Sequence, residues 1–241
     1  DQTHTVRVDK TPPAFASTAA ITGNYWDSTT NATSTKDSVT GIEVQFNENL
    51  DASSVVPADF TVDAITPLTA VVNSKKKTSV YLTVATAIAA NATPTIAIAT
   101  DGAVSDLAGN ALNVGSKKAT DGIAPSFTVS LDTTLSKSKV VVTVTADETI
   151  SGVPVIKIHR KNAAQAKGGL AIDSATVEEK SLTVVVKTLT SWEAEFSAIT
   201  GSDGVKAVVV TGNDLATPTN SGSKGNADPA NSLVSFCTGR G

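Results

Sequence analysis

The chain has 241 residues, with 23 acidic against 19 basic side chains, a net charge of −4 and a pI near 5.2. That balance gives no basic field to hold a phosphate backbone, and no run of about 18 apolar residues exists to span a membrane as a helix, so both classes are excluded for this segment. Hydrophobic residues make up 40% of the chain but aromatics only 4%, with no Met; Val, Ala, Ile and Thr must fill the cores, which favours strands because β-branched side chains fit a pleated, half-buried surface.

The chain starts at Asp1 rather than Met and opens in what reads as mid-strand, the expectation for a processed protein or a piece of a larger one. Residues 22–38, "TGNYWDSTTNATSTKDS", follow as a polar stretch too long for a tight hairpin. They read either as an inserted loop presenting Tyr25 and Trp26 to a neighbouring subunit or glycan, or as a strand whose Trp covers a core. Short apolar or alternating runs broken by Gly, Pro, Asn, Asp and Ser then predict strands. In the first half these are Gly41–Phe46, Ala58–Val62, Ala70–Val72, Ser79–Val84 and Thr95–Ala99. In the second half they are Ser126–Leu131, Lys139–Thr145, Val153–His159, Ser181–Lys187 and Val205–Thr211. Helical spacing is almost absent.

The two sets repeat one order. "DLAGNALNVGSKKATD" (106–121) returns as "DLATPTNSGSKGNAD" (214–228), and one offset separates both Gly115 from Gly222 and Asp121 from Asp228. The strand and acidic turn around Glu48 match those around Glu148, and "KKKTSVYLTVATAIA" is aligned with "VEEKSLTVVVKTLTSW". A polar loop repeated in this way closes a module. About seven short strands per module, with turns every 8–12 residues, predict two tandem immunoglobulin-like β-sandwiches, residues 9–121 and 122–241, with residues 1–8 as a linker or the closing strand of a preceding module.

The entries "VDKTPPAF" (Val8–Phe15) and "TDGIAPSF" (Thr120–Phe127), the "FNENLD" turn and "VSDLAGNAL" (Val104–Leu112) resemble the bacterial Ig-like domains strung in tandem in surface-layer proteins and large adhesins. The resemblance spans Asp9 to Thr238 and is more specific in the first module. It implies an extracellular, cell-surface protein whose partners are further copies of itself or other surface-protein modules. It also makes His4–Val8 the closing strand of a preceding module and Leu233–Phe236 that of the second.

Candidate chemistry is sparse. The two histidines, His4 and His159, have no orienting acid beside them in sequence, as a hydrolytic triad would need. Glu193 and Glu195 beside Trp192 are the nearest approach to a sugar-binding cluster. Cys237 has no partner for an intrachain disulfide and reads as a small residue near a terminus or an intersubunit crosslinker. Oxygen ligands do gather at the module ends: Asp9, Asp106, Asn110 and Asp121 around the first, Asn213, Asp214 and Asp228 around the second. Loops at one end of a sandwich can supply the six to eight oxygens that Ca²⁺ takes, and ordinary Asx turns explain the same residues. Asn31 and Asn91 each begin an N-A-T sequon, a glycan attachment point in a secreted glycosylating organism and otherwise an Ala- and Thr-rich turn.

These features predict a non-enzymatic structural module of a surface layer, sheath or filament, a spacer that makes lateral contacts by self-assembly. An adhesin or carbohydrate-binding segment, which needs Trp26 or Trp192 as an exposed platform, and the spacer of a secreted enzyme are the alternatives.

Overall fold

The computed structural model describes residues 8–27, 32–136, 139–161, 177–181, 183–197, 205–216, 219–224 and 234–235. The fold is β-sandwich-like and nearly all β, built from antiparallel sheets, and the chain divides into two compact units after Ile123.

In the first unit β1 (Phe15–Asp27), β2 (Ala32–Phe46), β3 (Phe60–Val62), β4 (Thr69–Val72), β5 (Ser79–Thr83), β6 (Thr95–Ile98) and β7 (Ser116–Lys118) form two sheets, ordered β1-β2-β5-β4 and β3-β6-β7. Period-two alternation decides which side chains go inside. Ile42, Val44 and Phe46 of β2 meet Val80 and Leu82 of β5, and Phe60, Val62, Ile96 and Ile98 complete one shared core. The opposite face of the larger sheet carries Glu43, only 6% exposed. Its carboxylate accepts from Asn24 Nδ2 at 2.8 Å, Ser79 Oγ at 2.9 Å and Gln45 Nε2 at 3.1 Å, and Lys76 Nζ lies 3.7 Å away. This arrangement satisfies a charge that burial would otherwise make costly.

Residues 22–27 and 32–38 of the polar stretch lie in β1 and β2, which pair as a long antiparallel ladder whose register shifts at Gly23. Gly23 has φ +84° and packs so tightly that a Cβ would stand 2.6 Å from the Gly122 carbonyl oxygen. Beyond this shift Trp26 stacks on Tyr81, ring centroids 5.9 Å apart. Both rings are buried, outside the main core cluster. Trp26 is therefore a covering residue.

In the second unit β8 (Phe127–Ser136), β9 (Lys139–Ala146), β10 (Val155–Lys161), β11 (Val177–Ser181), β12 (Val184–Thr188), β13 (Ser191–Ser197), β14 (Val205–Asn213), β15 (Ser221–Lys224) and β16 (Val234–Ser235) give the orders β12-β13-β9-β8 and β11-β10-β14-β15, with β16 also on β14. Strand for strand, β8-β9-β13-β12 repeats β1-β2-β5-β4, and β10-β14-β15 repeats β3-β6-β7. This corrects the sequence alignment of the two halves. The counterpart of β5 is β13, which the apolar-run reading passed over, and Ser181–Lys187 is the end of β11 followed by edge strand β12.

The reason is a redistribution of core volume. Val44 pairs with Val80 and Ile42 with Leu82, whereas at the matching registers Val144 pairs with Trp192 and Val142 with Ala194. Phe46 is likewise replaced by Ala146. Trp192, 1% exposed, fills the space that smaller neighbours leave open.

Candidate metal centre

The first acidic site is built by two turns. After β2 the chain bends through Asn47–Asp51, held to the module entry by Ala14 N donating to Asn47 Oδ1 at 2.7 Å and Asn47 N donating to the Ala14 carbonyl at 3.0 Å. Leu50, fully buried, bridges to Asp106 and fixes one turn against the other. In the Asp106–Asn110 loop, Asp106 Oδ1 accepts the backbone N–H groups of Ala108 and Asn110, each at 2.8 Å, and Oδ2 accepts Asn110 Nδ2 at 2.8 Å. Gly109, at φ +85°, supplies the left-handed residue that closes the loop. Asn110 Nδ2 also reaches the Asp9 carbonyl at 3.3 Å. These turns set carboxylate oxygens of Asp9, Glu48 and Asp106 within 4.8 Å of one another, around a shallow concavity that Asn49, Leu107 and Ala108 complete.

The electrostatics divide the three acids. Donation by the Asn110 side chain, then by backbone N–H groups, holds Asp106 below the usual carboxylate range although burial opposes it. Burial pushes Glu48 up, and the charges of Asp106 and Asp9 push it further. Glu48 Oε1 is buried and accepts no hydrogen bond among the described residues. A third carboxylate with a buried oxygen that accepts no hydrogen bond, beside two others, makes the charged form costly, and a hydrogen bond shared with Asp106 favours the protonated one. The donor set is all oxygen, which suits a hard cation such as Ca²⁺ rather than a thiolate- or imidazole-seeking metal.

The second unit repeats the clasp. Ser126 N donates to Asp147 Oδ1 at 2.9 Å, Asp147 N donates to the Ser126 carbonyl at 3.2 Å, and Ile150 bridges to Asp214. Asp214 Oδ1 accepts Asn220 N at 2.8 Å, and its Oδ2 accepts Asn220 Nδ2 at 2.6 Å. Glu148 and Asp214, 4% and 1% exposed, bring carboxylate oxygens within 4.8 Å.

Of the residues singled out in the sequence, Asp9, Asp106 and Asn110 come together. Asp121, in the first unit, is buried, and its Oδ1 accepts Ile123 N at 3.0 Å. Asn213 is exposed and accepts Ser221 Oγ at 2.8 Å, so the clamp on Asp214 comes from Asn220 instead. Asn220 takes the place of Asn110 across a loop two residues longer, and the insertion concealed the match. Glu48 and Glu148 stood out only as acidic turns. Their equal spacing ahead of Leu50 and Ile150 was the available signal.

Trp26 and Trp192 are 8% and 1% exposed, so neither offers the platform that a glycan-binding reading requires. Burial explains both positions: one covers Tyr81 and the other fills a core. Tyr25 is 40% exposed. Glu193, beside Trp192, is paired with Lys187 Nζ at 2.7 Å. His4, Asn31, Asp228 and Cys237 lie outside the described residues. Compared with protein-family models and with curated proteins, the sequence finds no match in either set.

Proposed function

We propose that this chain is a non-enzymatic structural segment of an extracellular cell-surface assembly, two tandem immunoglobulin-like modules that act as spacers and lateral contacts, each closed at its entry by a clasp suited to Ca²⁺. The observation that carries the reading is the duplicated clasp. In each unit a buried Asp is clamped by an Asn through both carboxylate oxygens, with a Glu carboxylate beside it. Catalytic loops are seldom duplicated within a chain, whereas the closure of a module is duplicated with it. The immunoglobulin-like assignment is supported by strand order: counted along the first unit, strands 1, 2, 5 and 4 form one sheet and strands 3, 6 and 7 the other, the ABED and CFG pattern of constant-type domains.

In the first unit Asp9, Glu48 and Asp106 would hold the ion, which supplies positive charge to a carboxylate that burial and its neighbours now penalise. Its effect is mechanical, because tying the entry at Asp9 to the Asp106 loop limits bending where the chain enters the module. "DKTPP" adds stiffness there, as Pro fixes φ and restrains the residue before it.

The test is negative-stain electron microscopy of the protein as isolated from its source, with Ca²⁺ and after chelation. Regular sheets, tubes or filaments that loosen in EDTA are expected. Dispersed particles under both conditions would overturn the assembly reading.

A further inference from the structure

We propose that Asn91 carries an N-linked glycan. Four other turn asparagines have a structural task. Asn47, Asn73, Asn110 and Asn220 each bond a backbone or side-chain group and hold a turn closed. Asn91 has no such task. It is exposed in the turn between β5 and β6, and that turn is closed by the backbone alone, Ala92 N donating to the Ala89 carbonyl at 2.9 Å. The side chains of Asn91 and Thr93 make no hydrogen bond among the described residues. Nor does Asn91 adopt the left-handed backbone that would favour Asn over other residues. Both ordinary reasons for Asn in a turn, local bonding and positive φ, are therefore missing.

What remains is the sequon Asn91-Ala92-Thr93, exposed at its acceptor and anchored behind by buried Pro94. An acceptor amide free of intramolecular bonds, on a turn with no sheet partner, can enter a transferase cleft without unfolding the sandwich. In the reaction Asn91 Nδ2 bonds to C1 of the first sugar of an oligosaccharide carried on a lipid diphosphate. The C1–oxygen bond to the diphosphate breaks, the lipid diphosphate departs with the electron pair, and the amide proton passes to a base of the transferase.

The inference rests on the extracellular placement proposed above but not on the cation. The experiment is peptide mass spectrometry of protein isolated from the cells that produce it, with protease shaving of intact cells run in parallel to establish surface exposure. A peptide spanning Asn91 should be heavier by a glycan that fragments in single-sugar steps. The modification should be lost in Asn91→Gln and Thr93→Ala and kept in Thr93→Ser, with all three variants melting like the unglycosylated parent. Shaved surface protein with an unmodified Asn91 peptide, or with sugars on the Thr93 hydroxyl instead, overturns this proposal and leaves the structural reading intact. Protein that resists shaving and lacks the modification overturns both.

Discussion

Gly115 and Gly222 hold the same place in the repeat, each opening a Gly-Ser-Lys stretch that enters a closing strand, yet they should respond oppositely to one added methyl. A Cβ at Gly222 would fall on the Pro125 carbonyl oxygen and stand 2.8 Å from its carbon and 2.9 Å from the ring Cγ. Relief by sliding β15 is blocked, because Val210, Thr211, Gly212 and Asn213 of β14 pair in unbroken register with Lys224, Ser223, Gly222 and Ser221. Gly222→Ala must distort either this ladder or the Pro125 segment, a loss of about 3 kcal/mol by analogy with overpacked cores. For a unit of this size that is a fall on the order of 12 °C in the melting temperature of the second unit. A Cβ at Gly115 meets nothing nearer than Phe15 Cε2 at 3.8 Å, and its φ is not in the left-handed region. Gly115→Ala should therefore be neutral or gain up to about 0.5 kcal/mol by restricting the unfolded chain. Differential scanning calorimetry, with hydrogen exchange to assign each transition to a unit, reads both. If Gly222→Ala melts within about 2 °C of the parent, or if the two substitutions behave alike, the reasoning from close approach is wrong.

Glu48→Gln should raise the stability of the first unit in EDTA, since it removes a carboxylate that burial and two neighbours penalise, and should abolish the gain from Ca²⁺; a saturating ion at a hundredfold its Kd adds about 2.7 kcal/mol to the parent. The pH profile in EDTA follows from the same groups. Glu48 is raised above its ordinary 4.5, so its contribution is fully favourable below that value and is lost as pH rises through its folded value. Asp106 and Asp51 are lowered from 3.8, so theirs is present above 3.8 and lost as pH falls through their folded values. Stability should thus climb as pH falls from neutral toward 4.5 and drop well below 3.8, with the climb missing in Glu48→Gln; urea titrations across pH would show it. Ala64, at φ +67°, sits in the two-residue turn that Val62 and Ile65 close by reciprocal bonds of 2.8 and 3.0 Å, and Ala64→Gly should stabilise by about 0.5–1 kcal/mol in chemical denaturation. Trp192→Val should cost about 3 kcal/mol and Ala194→Leu about 1–2, while the double substitution, which restores the Val80 and Leu82 pairing of the first unit, should cost at least about 1 kcal/mol less than their sum.

Much of the all-β character was legible because alternation is a local signal. The run Gly41–Phe46 ends with β2, and Lys139–Thr145 falls within β9, since Ile42, Val44, Val142 and Val144 each point to a core with polar or β-branched residues between them. The first half of the first unit's long hairpin was harder, whereas Ser126–Leu131 already marked β8. β1 reads as Thr- and Ala-rich polar chain because its outer length packs Trp26 on Tyr81 rather than lining the main core. The β3 turn was invisible for a different reason. "VDAI" lacks the Gly that two-residue hairpins favour, and the turn forms anyway with Asp63 and Ala64 both at positive φ, helped by Asp63 Oδ1 accepting Thr95 N at 2.8 Å. At the candidate site, Asp106, Asn110 and Asp214 were readable in the repeated loop, but Asn220 was hidden by the insertion and Glu48 was not singled out, because only the folded turn reveals that its Oε1 is buried without a hydrogen bond among the described residues.

The two units show which parts of the module tolerate exchange and which do not. Core side chains have been traded freely: Leu82 against Ala194, Val80 against Trp192 and Phe46 against Ala146, with one large ring taking up volume released elsewhere. A close-packed interior constrains total volume more than identity, so such trades preserve the sandwich while erasing its sequence signature. The clasp follows another rule. Asp106 and Asp214 each need a donor to both carboxylate oxygens, and an Asn supplies a backbone and a side-chain donor together, whether four residues on or six. Directional bonding to a buried charge has few substitutes. The polar loop consequently stays recognisable between the halves while the β5 and β13 strands beneath it do not, and it is the loop, rather than the core, that marks the chain as a duplication.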